Sequence, residues 1–203
     1  MKKYDNSVAV LGGTFNPIHK GHLAMAITCH KEFGINKILI MPSADPSSYK
    51  DSNKVLPKED RAAMVKLAIE DYDYLEFSDL ELKREGRTYT ADTLSELLKT
   101  YSHVDFIIGA DSLFYLDKWY HADYVLKNCR FIAANRDQHS SADLKARIDF
   151  LEREFGAQIE LMHMDCIDVS STQVRDMVHE NKDISDLVDE KVKAYIIEKG
   201  LYI

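Results

Sequence analysis

Short apolar strands alternate with longer amphipathic segments along this chain. Six runs rich in β-branched or aromatic residues are typical of strands, each bounded by polar residues or glycine: 7–11, 37–41, 75–78, 104–108, 130–134 and 159–162. Between them, apolar residues recur at helical spacing, as at Met64, Leu67 and Ala68. The alternation predicts an α/β fold, a doubly wound parallel sheet with helices on both faces.

Helix boundaries can be placed in three segments. Pro57 suits the first turn of a helix, and leucines at helical spacing predict another helix over 90–101. A last apolar stripe from Val188 to Ile196 stops at Gly200, which suits a left-handed cap. We interpret these stripes as faces packed on the core.

The longest segments without periodicity are 42–56, 80–89 and 163–169, and each follows a predicted strand. Open α/β sheets bind ligands beyond the carboxyl ends of their strands, so binding residues are expected there. No repeat, low-complexity tract or Pro/Gly-rich linker divides the chain. We therefore expect one domain over residues 1–203.

Composition narrows the function classes. The 203 residues are 45% hydrophobic and 30% charged, which is ordinary for a globular protein. With 26 basic and 34 acidic residues the net charge is −8, which argues against sequence-independent binding to nucleic acid or to an anionic membrane. An anionic substrate would need a local cluster of positive charge.

The chain shows no targeting or disulfide signal. No apolar run approaches the roughly 20 residues of a membrane span, and the start lacks the apolar stretch of a signal peptide. Cys29, Cys129 and Cys166 are widely spaced without a C-x-x-C pair, so neither a disulfide framework nor a zinc knuckle is indicated. A reducing compartment fits, and we expect a cytoplasmic location without a membrane partner.

The first predicted strand leads directly into GGTFNPIHKGHL. Gly12 and Gly13 allow a sharp turn and close approach of a ligand. The next helix is expected to begin near Lys20 or Gly21, so that its N–H groups and positive dipole end face the turn and can receive phosphate. His19 and His22, spaced three apart, lie on one helix face and can donate to phosphate oxygens.

Other interpretations of this segment were weighed. The G-x-G-x-x-G fingerprint and the P-loop pattern are both absent. A histidine pair can ligate a metal, but no convincing third ligand is apparent, and an H-x-x-H pattern is most often structural. The position behind G-G-T favours phosphate.

A second hydroxyl-rich segment, DCIDVSSTQVRDMV, lies near the other end of the chain. Ser170, Ser171 and Thr172 are good N-cap residues before an apolar helical face, so a helix is predicted to start there. Arg175, one turn in, can point back and present donors to phosphate. A cap without further function is the alternative.

Together the two segments resemble a known family. GGTFNPIHKGHL is similar to the signature of nucleotidyltransferases with an H-x-G-H motif, most closely the bacterial nicotinate mononucleotide adenylyltransferases, and SSTQVR resembles their I-S-S-T-x-x-R motif, with Val169 for Ile. The resemblance runs from Val8 to Tyr202. It implies a Rossmann-like fold and transfer of the adenylyl group of ATP to nicotinate mononucleotide, giving deamido-NAD and pyrophosphate, with Mg²⁺ bound mainly through the ATP phosphates.

The resemblance also implies site residues. His19, His22 and Arg175 are the expected catalytic residues. The expected ATP-binding residues are Gly12, Gly13, Thr14, Phe15, His19, His22, Gly109, Asp111, Ser171, Thr172 and Arg175. The expected mononucleotide-binding residues are Asn16, Lys50, Thr88, Tyr89, Asp111, Trp119 and Arg136. No protein metal ligands are expected.

Some of these assignments have alternatives or depart from the family pattern. The family turn usually has Asp where this chain has Asn16, which keeps a hydrogen-bonding side chain. Trp119 is expected to stack on the nicotinate ring, with a core role as the alternative, and Arg136 could equally be a surface residue. Lys50 lies where the family often shows P-P-H-K, with Tyr49 in place of the His.

Rival functions stay open at this point. An adenylyltransferase of the same superfamily could act on nicotinamide mononucleotide or on phosphopantetheine, although segment 86–94 and Trp119 argue against the latter. A non-catalytic nucleotide sensor is the rival from another class. The sequence leaves the oligomeric state open.

Overall fold

The structure, a computed structural model, describes residues 6–44, 55–135, 140–164 and 167–203. Six parallel strands pair in the order β3-β2-β1-β4-β5-β6. They are β1 (Ser7–Gly13), β2 (Ile38–Pro42), β3 (Leu75–Phe77), β4 (His103–Gly109), β5 (Arg130–Asn135) and β6 (Gln158–His163). All six predicted strands are confirmed, and the order is that of a Rossmann-like sheet.

Helices connect the strands. They are α1 (Lys20–Phe33), α2 (Lys58–Ile69), α3 (Thr90–Leu97), α4 (Ala122–Asn128), α5 (Ser141–Phe155), α6 (Ser171–His179) and α7 (Glu190–Lys199), with a 3₁₀ helix at Ala110–Lys118. The predicted helix over 90–101 ends early, at Leu97, and Val188 packs in the core before α7 instead of within it. Among the described residues, no helix is both long and apolar enough to cross a membrane.

Both faces of the sheet are covered. Along β1, Ala9 and Leu11 join a core with residues of α1, α2, α6 and α7. Val8 and Val10 point to the opposite face and join a second core with residues of α3, α4 and α5. Burial on both faces explains why the strands appear in the sequence as continuous apolar runs.

The strand order fixes where a ligand can bind. The chain crosses from β1 to β2 on one side and pairs β1 with β4 on the other. In such sheets the connections leave in opposite directions at this point and open a crevice beyond the carboxyl ends of the two strands. The glycines that end β1 therefore lie at the mouth of the crevice.

A buried ion cluster ties β4, β5 and β6 together. Asp105 is 1% exposed and accepts from Arg130 Nε and Nη2, both at 2.8 Å. His103 Nε2 lies 2.8 Å from the same carboxylate, and Arg130 also donates to Glu160 at 2.9 Å. Hydrogen bonds to Asp105 raise the pKa of Arg130, so its guanidinium stays charged.

Candidate active site

The first turn is built around a buried aromatic ring. Phe15 is 1% exposed and adopts a left-handed backbone conformation, with φ of 48°. A Cβ on Gly13 would lie 3.0 Å from the Phe15 ring, so glycine is required for the ring to fold back on the strand. The same ring meets His22 edge-on, with centroids 4.9 Å apart. Phe15 thus packs against His22, and its ring is buried in the protein.

The two histidines are stacked, as their spacing predicted. Their ring centroids are 3.6 Å apart and the planes differ by 26°. The backbone N–H of His19 donates to Nδ1 of His22 at 3.2 Å. In neutral His22 this bond leaves the ring proton on Nε2, the tautomer that donates away from the backbone. His19 is only 4% exposed, so His22 is the more accessible donor.

The start of α1 is less open than the sequence predicts. The helix begins at Lys20 as expected, but the Lys20 N–H donates to the carbonyl of Leu187 at 2.8 Å. The N–H groups of His22 and Leu23 bond the carbonyl of His19 at 2.9 and 3.3 Å. These amides are used within the protein, so anion binding here depends more on the imidazoles than on the free helix N-terminus.

Gly21 lets the two sequence motifs meet. A Cβ at this position would lie 2.9 Å from Cγ1 of Val169 and 3.1 Å from ring atoms of His19. Contacts of that length require the neighbours to move. The glycine of the H-x-G-H pattern is therefore the point where α1 touches the segment that leads into α6.

The second motif is bound directly to the first turn. Ser170, one of the three predicted N-cap candidates, is the N-cap of α6, and its Oγ accepts from the Gln173 N–H at 3.1 Å. Ser171 Oγ donates to the Pro17 carbonyl at 2.9 Å. Across a sequence separation of 159 residues, Arg175 Nη1 donates to the Asn16 carbonyl at 2.8 Å. The predicted meeting of the two ends of the chain is present in the structure.

Arg175 and its neighbours retain capacity for an anion. The second terminal nitrogen of Arg175 donates to Thr172 Oγ1 at 3.0 Å, on the exposed first turn of α6. The two bonds fix the guanidinium plane and use only part of its donor set. Ser171, in contrast, directs its hydroxyl proton to the protein backbone, so in this state it holds the turn in place.

A cleft of about 240 Å³ opens at the carboxyl ends of β1, β2 and β4. Its wall includes residues expected to bind ATP and residues expected to bind the mononucleotide. They are Gly12, Gly13, Thr14, Thr88 and Trp119. Among the described residues, the lining includes none of His19, His22 and Arg175. The Thr14–Pro17 loop connects these three residues to the cleft, because Thr14 lines the cleft and Arg175 bonds the Asn16 carbonyl. The site therefore has two halves joined by one loop.

Trp119 lies at the boundary between cleft and core. It ends the 3₁₀ helix, lines the cleft and meets Phe131 edge-on at 6.2 Å. Its stacking on a nicotinate ring stays a prediction. Tyr89 caps α3 and packs on Tyr120 at 4.4 Å, while Thr90, which the sequence analysis missed, lines the cleft beside Thr88.

Two other expected ATP contacts flank the cleft. Gly109 ends β4, and a Cβ there would meet no heavy atom within 4 Å among the described residues, so a ligand could approach the backbone closely. Asp111 is exposed on the first turn of the 3₁₀ helix. Lys50 and Arg136, with Tyr49, lie outside the described residues.

Glu81, which no sequence motif indicated, also lines the cleft. Its carboxylate accepts from Thr93 Oγ1 at 2.7 Å, and Arg84 donates to the same threonine at 2.7 Å. Burial raises the pKa of Glu81, although the bond from Thr93 and the charge of Arg84 oppose the shift. The signal in the sequence was its position, because Glu81 lies in segment 80–89, where binding residues were expected.

Arg61 is the other residue that was missed. It is 1% exposed and donates to the Thr14 carbonyl at 2.7 Å and to the Leu56 carbonyl at 3.1 Å. Arg61 precedes Met64 and Val65 at helical spacing. A charged residue on an otherwise apolar helix face was therefore the signal in the sequence.

The donor set fits phosphate better than a bare cation. Across the described ranges, no group of three or more His, Cys, Asp or Glu side chains is arranged to hold a metal ion. Around the first turn the side-chain donors are imidazole and guanidinium, which bind phosphate oxygens.

Comparison with known proteins agrees with this geometry. Residues 10–177 match the cytidylyltransferase-like family. Proteins named "probable nicotinate-nucleotide adenylyltransferase" include one from Lachnoclostridium phytofermentans, 39% identical over 97% of this chain and 98% of that protein. Another, from Caldicellulosiruptor saccharolyticus, is 41% identical over 96% of this chain and 98% of its own length.

A solved structure shows the same fold. The Plasmodium falciparum nicotinic acid mononucleotide adenylyltransferase complexed with APC superposes with a TM-score of 0.77 at 19% identity, covering 98% of each chain. The 39–41% identity to the bacterial relatives extends over nearly the whole chain, so it shows membership of their family and not only a shared fold. This chain belongs to the nicotinate-nucleotide adenylyltransferase family, within the cytidylyltransferase-like proteins.

Proposed function

We propose that this protein transfers the adenylyl group of ATP to nicotinate mononucleotide, giving deamido-NAD and pyrophosphate. The observation that carries the proposal is the joining of the two motifs at one loop, through the bonds from Ser171 to Pro17 and from Arg175 to Asn16. The loop lies between the stacked histidines and a cleft at the carboxyl ends of the strands. Relatives named for this activity match nearly the whole chain.

The reaction asks for alignment more than for a strong base. The 5′-phosphate of the mononucleotide is an anion at neutral pH, since its second pKa is about 6, and it attacks the α-phosphorus as pyrophosphate leaves. The protein must hold two repelling anions in line and stabilise the charge that develops on the transferring oxygens. No protein nucleophile is needed.

The described residues can supply those functions. His22 donates from Nε2, the nitrogen left protonated by its backbone bond, and stabilises charge on the triphosphate. Arg175, with Thr172 beside it, contributes positive charge from α6. The backbone of Gly12 to Phe15 and the side chain of His19 complete this half of the site, while Gly109 and Asp111 lie where the ribose of ATP is expected.

The cleft supplies the acceptor half. We assign Thr88, Tyr89 and Trp119 to the nicotinate ring and its carboxylate, with Thr90 as a further wall residue. Asn16, Lys50 and Arg136 are proposed contacts to the mononucleotide. These assignments give the ring pocket hydroxyl groups, from Thr88 and Thr90, and aromatic rings, from Tyr89 and Trp119. The hydroxyl groups suit the nicotinate carboxylate, and the aromatic rings suit its heteroaromatic ring.

Several broader assignments belong to the same proposal. Mg²⁺, bound mainly through the ATP phosphates, would neutralise part of their charge, and the protein residues named above would hold the phosphates that carry it. We propose that residues 1–203 form one nucleotidyltransferase domain in the cytoplasm, with ATP and nicotinate mononucleotide as small-molecule partners and with no nucleic acid partner.

The test is pyrophosphate release with ATP, Mg²⁺ and either nicotinate or nicotinamide mononucleotide. The proposal predicts a higher kcat/KM for the acid, because donors around a carboxylate have no equivalent use with a neutral amide. A preference for the amide would reassign the substrate, and ATP binding without pyrophosphate release would indicate a sensor.

A paired substitution tests the role of His22. His22→Ala should lower kcat by about 10²–10³-fold, similar to the loss of one donor to developing negative charge. His30→Ala is the matched control: His30 lies on the same helix but bonds the Ile35 carbonyl at 2.8 Å and stacks on Tyr74. If both variants turn over alike, His22 has no catalytic role.

A further inference from the structure

The segment that follows α7 reaches back to the first turn. Tyr202 donates its hydroxyl proton to Oδ1 of Asn16 at 3.0 Å, across 186 residues of sequence. Asn16 is 5% exposed, and the same oxygen accepts from the Leu56 N–H at 3.2 Å. Its backbone carbonyl accepts from Arg175. The buried Asn16 side chain is therefore held by a tyrosine that lies outside both sequence motifs.

The backbone of Tyr202 carries a cost that its surroundings must offset. Its φ is 67°, in the left-handed region that a tyrosine rarely adopts. The preceding Gly200 ends α7, and the Leu201 N–H returns to the Ile196 carbonyl at 3.0 Å. Conformations of this kind cluster at functional sites, where other contacts hold them in place.

The hydroxyl of Tyr202 is suited to be a permanent donor. Burial raises its pKa, and the charges of Arg175 and Arg61 only partly oppose that shift. The group stays protonated at any pH at which the protein would work. Its bond to Asn16 is therefore constant and cannot act as a titratable switch.

The loop is fixed from three directions. Arg61 of α2 holds the Thr14 carbonyl at 2.7 Å. Ser171 of α6 holds the Pro17 carbonyl at 2.9 Å. Tyr202 adds the third direction, after α7, and fixes the side chain between those two carbonyls. Loss of the Tyr202 bond leaves the bonds to the backbone carbonyls of the loop in place, from Arg61, Ser171 and Arg175. The Asn16 side chain would keep only the bond from the Leu56 N–H, so the fold should persist while this side chain and its loop gain freedom.

We propose that Tyr202 is a positioning residue for adenylyl transfer, acting through Asn16 to hold the Thr14–Pro17 loop in the shape that aligns the triphosphate. The inference rests on the proposed function. Because alignment matters most in the transition state, loss of the bond should act on kcat more than on KM. The hydroxyl itself need not touch substrate.

The test compares Tyr202→Phe with Tyr195→Phe. Each change removes one hydroxyl. Tyr195 is matched because its hydroxyl also bonds from the C-terminal region to another element, at Asp60 of α2 (2.9 Å), and not to the Thr14–Pro17 loop. We expect Tyr202→Phe to lower kcat by about tenfold with KM for ATP within about twofold of wild type. Tyr195→Phe should keep the wild-type kcat, although its melting temperature should change by about as much as that of Tyr202→Phe.

A second measurement reads the loop directly. Amide hydrogen exchange of a peptide covering 12–18 should be faster in Tyr202→Phe than in wild type and unchanged in Tyr195→Phe. Equal kcat in the two variants, or faster exchange without a fall in kcat, would overturn the inference. If the wild type releases no pyrophosphate, it is the proposed function that fails, and the exchange data still decide whether Tyr202 fixes the loop.

Discussion

Replacing Gly21 by alanine should separate catalysis from helix stability. Alanine is a better helix former than glycine by about 1 kcal/mol, so at an ordinary position in α1 the change would stabilise the protein. Here the new Cβ would lie 2.9 Å from Val169 Cγ1 and 3.1 Å from the His19 ring. Favourable carbon contacts are about 3.5–4.0 Å, so these groups must move by about 0.5–1 Å.

That displacement sets the expected size of the effect. Overpacking of this kind costs about 1–3 kcal/mol, which offsets the gain in helix propensity and leaves a small net loss of stability. A misplacement of about 1 Å in a positioned group can cost about 10²-fold in rate. Since His19 stacks on His22, both imidazoles shift together. We expect kcat to fall by about 10- to 100-fold in a folded enzyme.

The assay is pyrophosphate release with purified variants, accompanied by thermal unfolding. Thr28→Ala on the same helix is the control, because it also raises helix propensity but lies about two turns beyond Gly21, away from His19. Turnover of Gly21→Ala within about twofold of Thr28→Ala would refute the claim that this glycine positions the histidines.

Two further changes test the electrostatics of the fold. Asp105→Asn should lower the free energy of unfolding by about 3 kcal/mol in urea titration, because it leaves the largely buried Arg130 guanidinium with only the half-exposed Glu160 as a charged partner; a loss below about 1 kcal/mol would contradict the role given to this pair. For Glu81, burial raises the folded-state pKa above the ordinary value of 4.5, so the folded protein binds more protons and stability falls as pH rises from about 4.5 through the folded pKa. Glu81→Gln keeps an acceptor for Thr93 and removes the titration, so its melting temperature should gain on wild type as pH rises through that window; a constant difference would contradict the assignment.

The strands were predictable because their physics is local. Each is buried on both faces, so its sequence is an apolar run that needs no partner to be recognised. Helix α5 was not predicted, although Leu144, Ile148 and Leu151 recur at helical spacing along it and pack on the core. Helix α3 ends at Leu97, but turns follow it in which the Leu98 and Tyr101 N–H groups still bond the Leu94 and Leu97 carbonyls, so the 90–101 pattern misplaced only the boundary of the helix.

The site divides in the same way. His19, His22 and Arg175 were identified because each lies in a short motif at the start of a helix, where spacing alone fixes neighbours. Arg61 and Tyr202 bond the same loop across 47 and 186 residues of sequence. A local pattern can mark Arg61 as unusual on its helix face, but it cannot identify the distant partner of either residue. The hydrogen bond from the Lys20 N–H to the Leu187 carbonyl could not be predicted for the same reason, because its partners are far apart in the sequence.

A double-mutant cycle between His22 and Arg175 tests most directly whether the two ends of the chain act on one triphosphate. The measured quantity is kcat/KM for pyrophosphate release by His22→Ala, Arg175→Ala and the double variant. Residues that work on the same phosphates through a shared loop should be coupled, so the double variant should lose clearly less than the product of the two single losses. Strictly multiplicative losses, or no loss in either single variant, would contradict a single composite site.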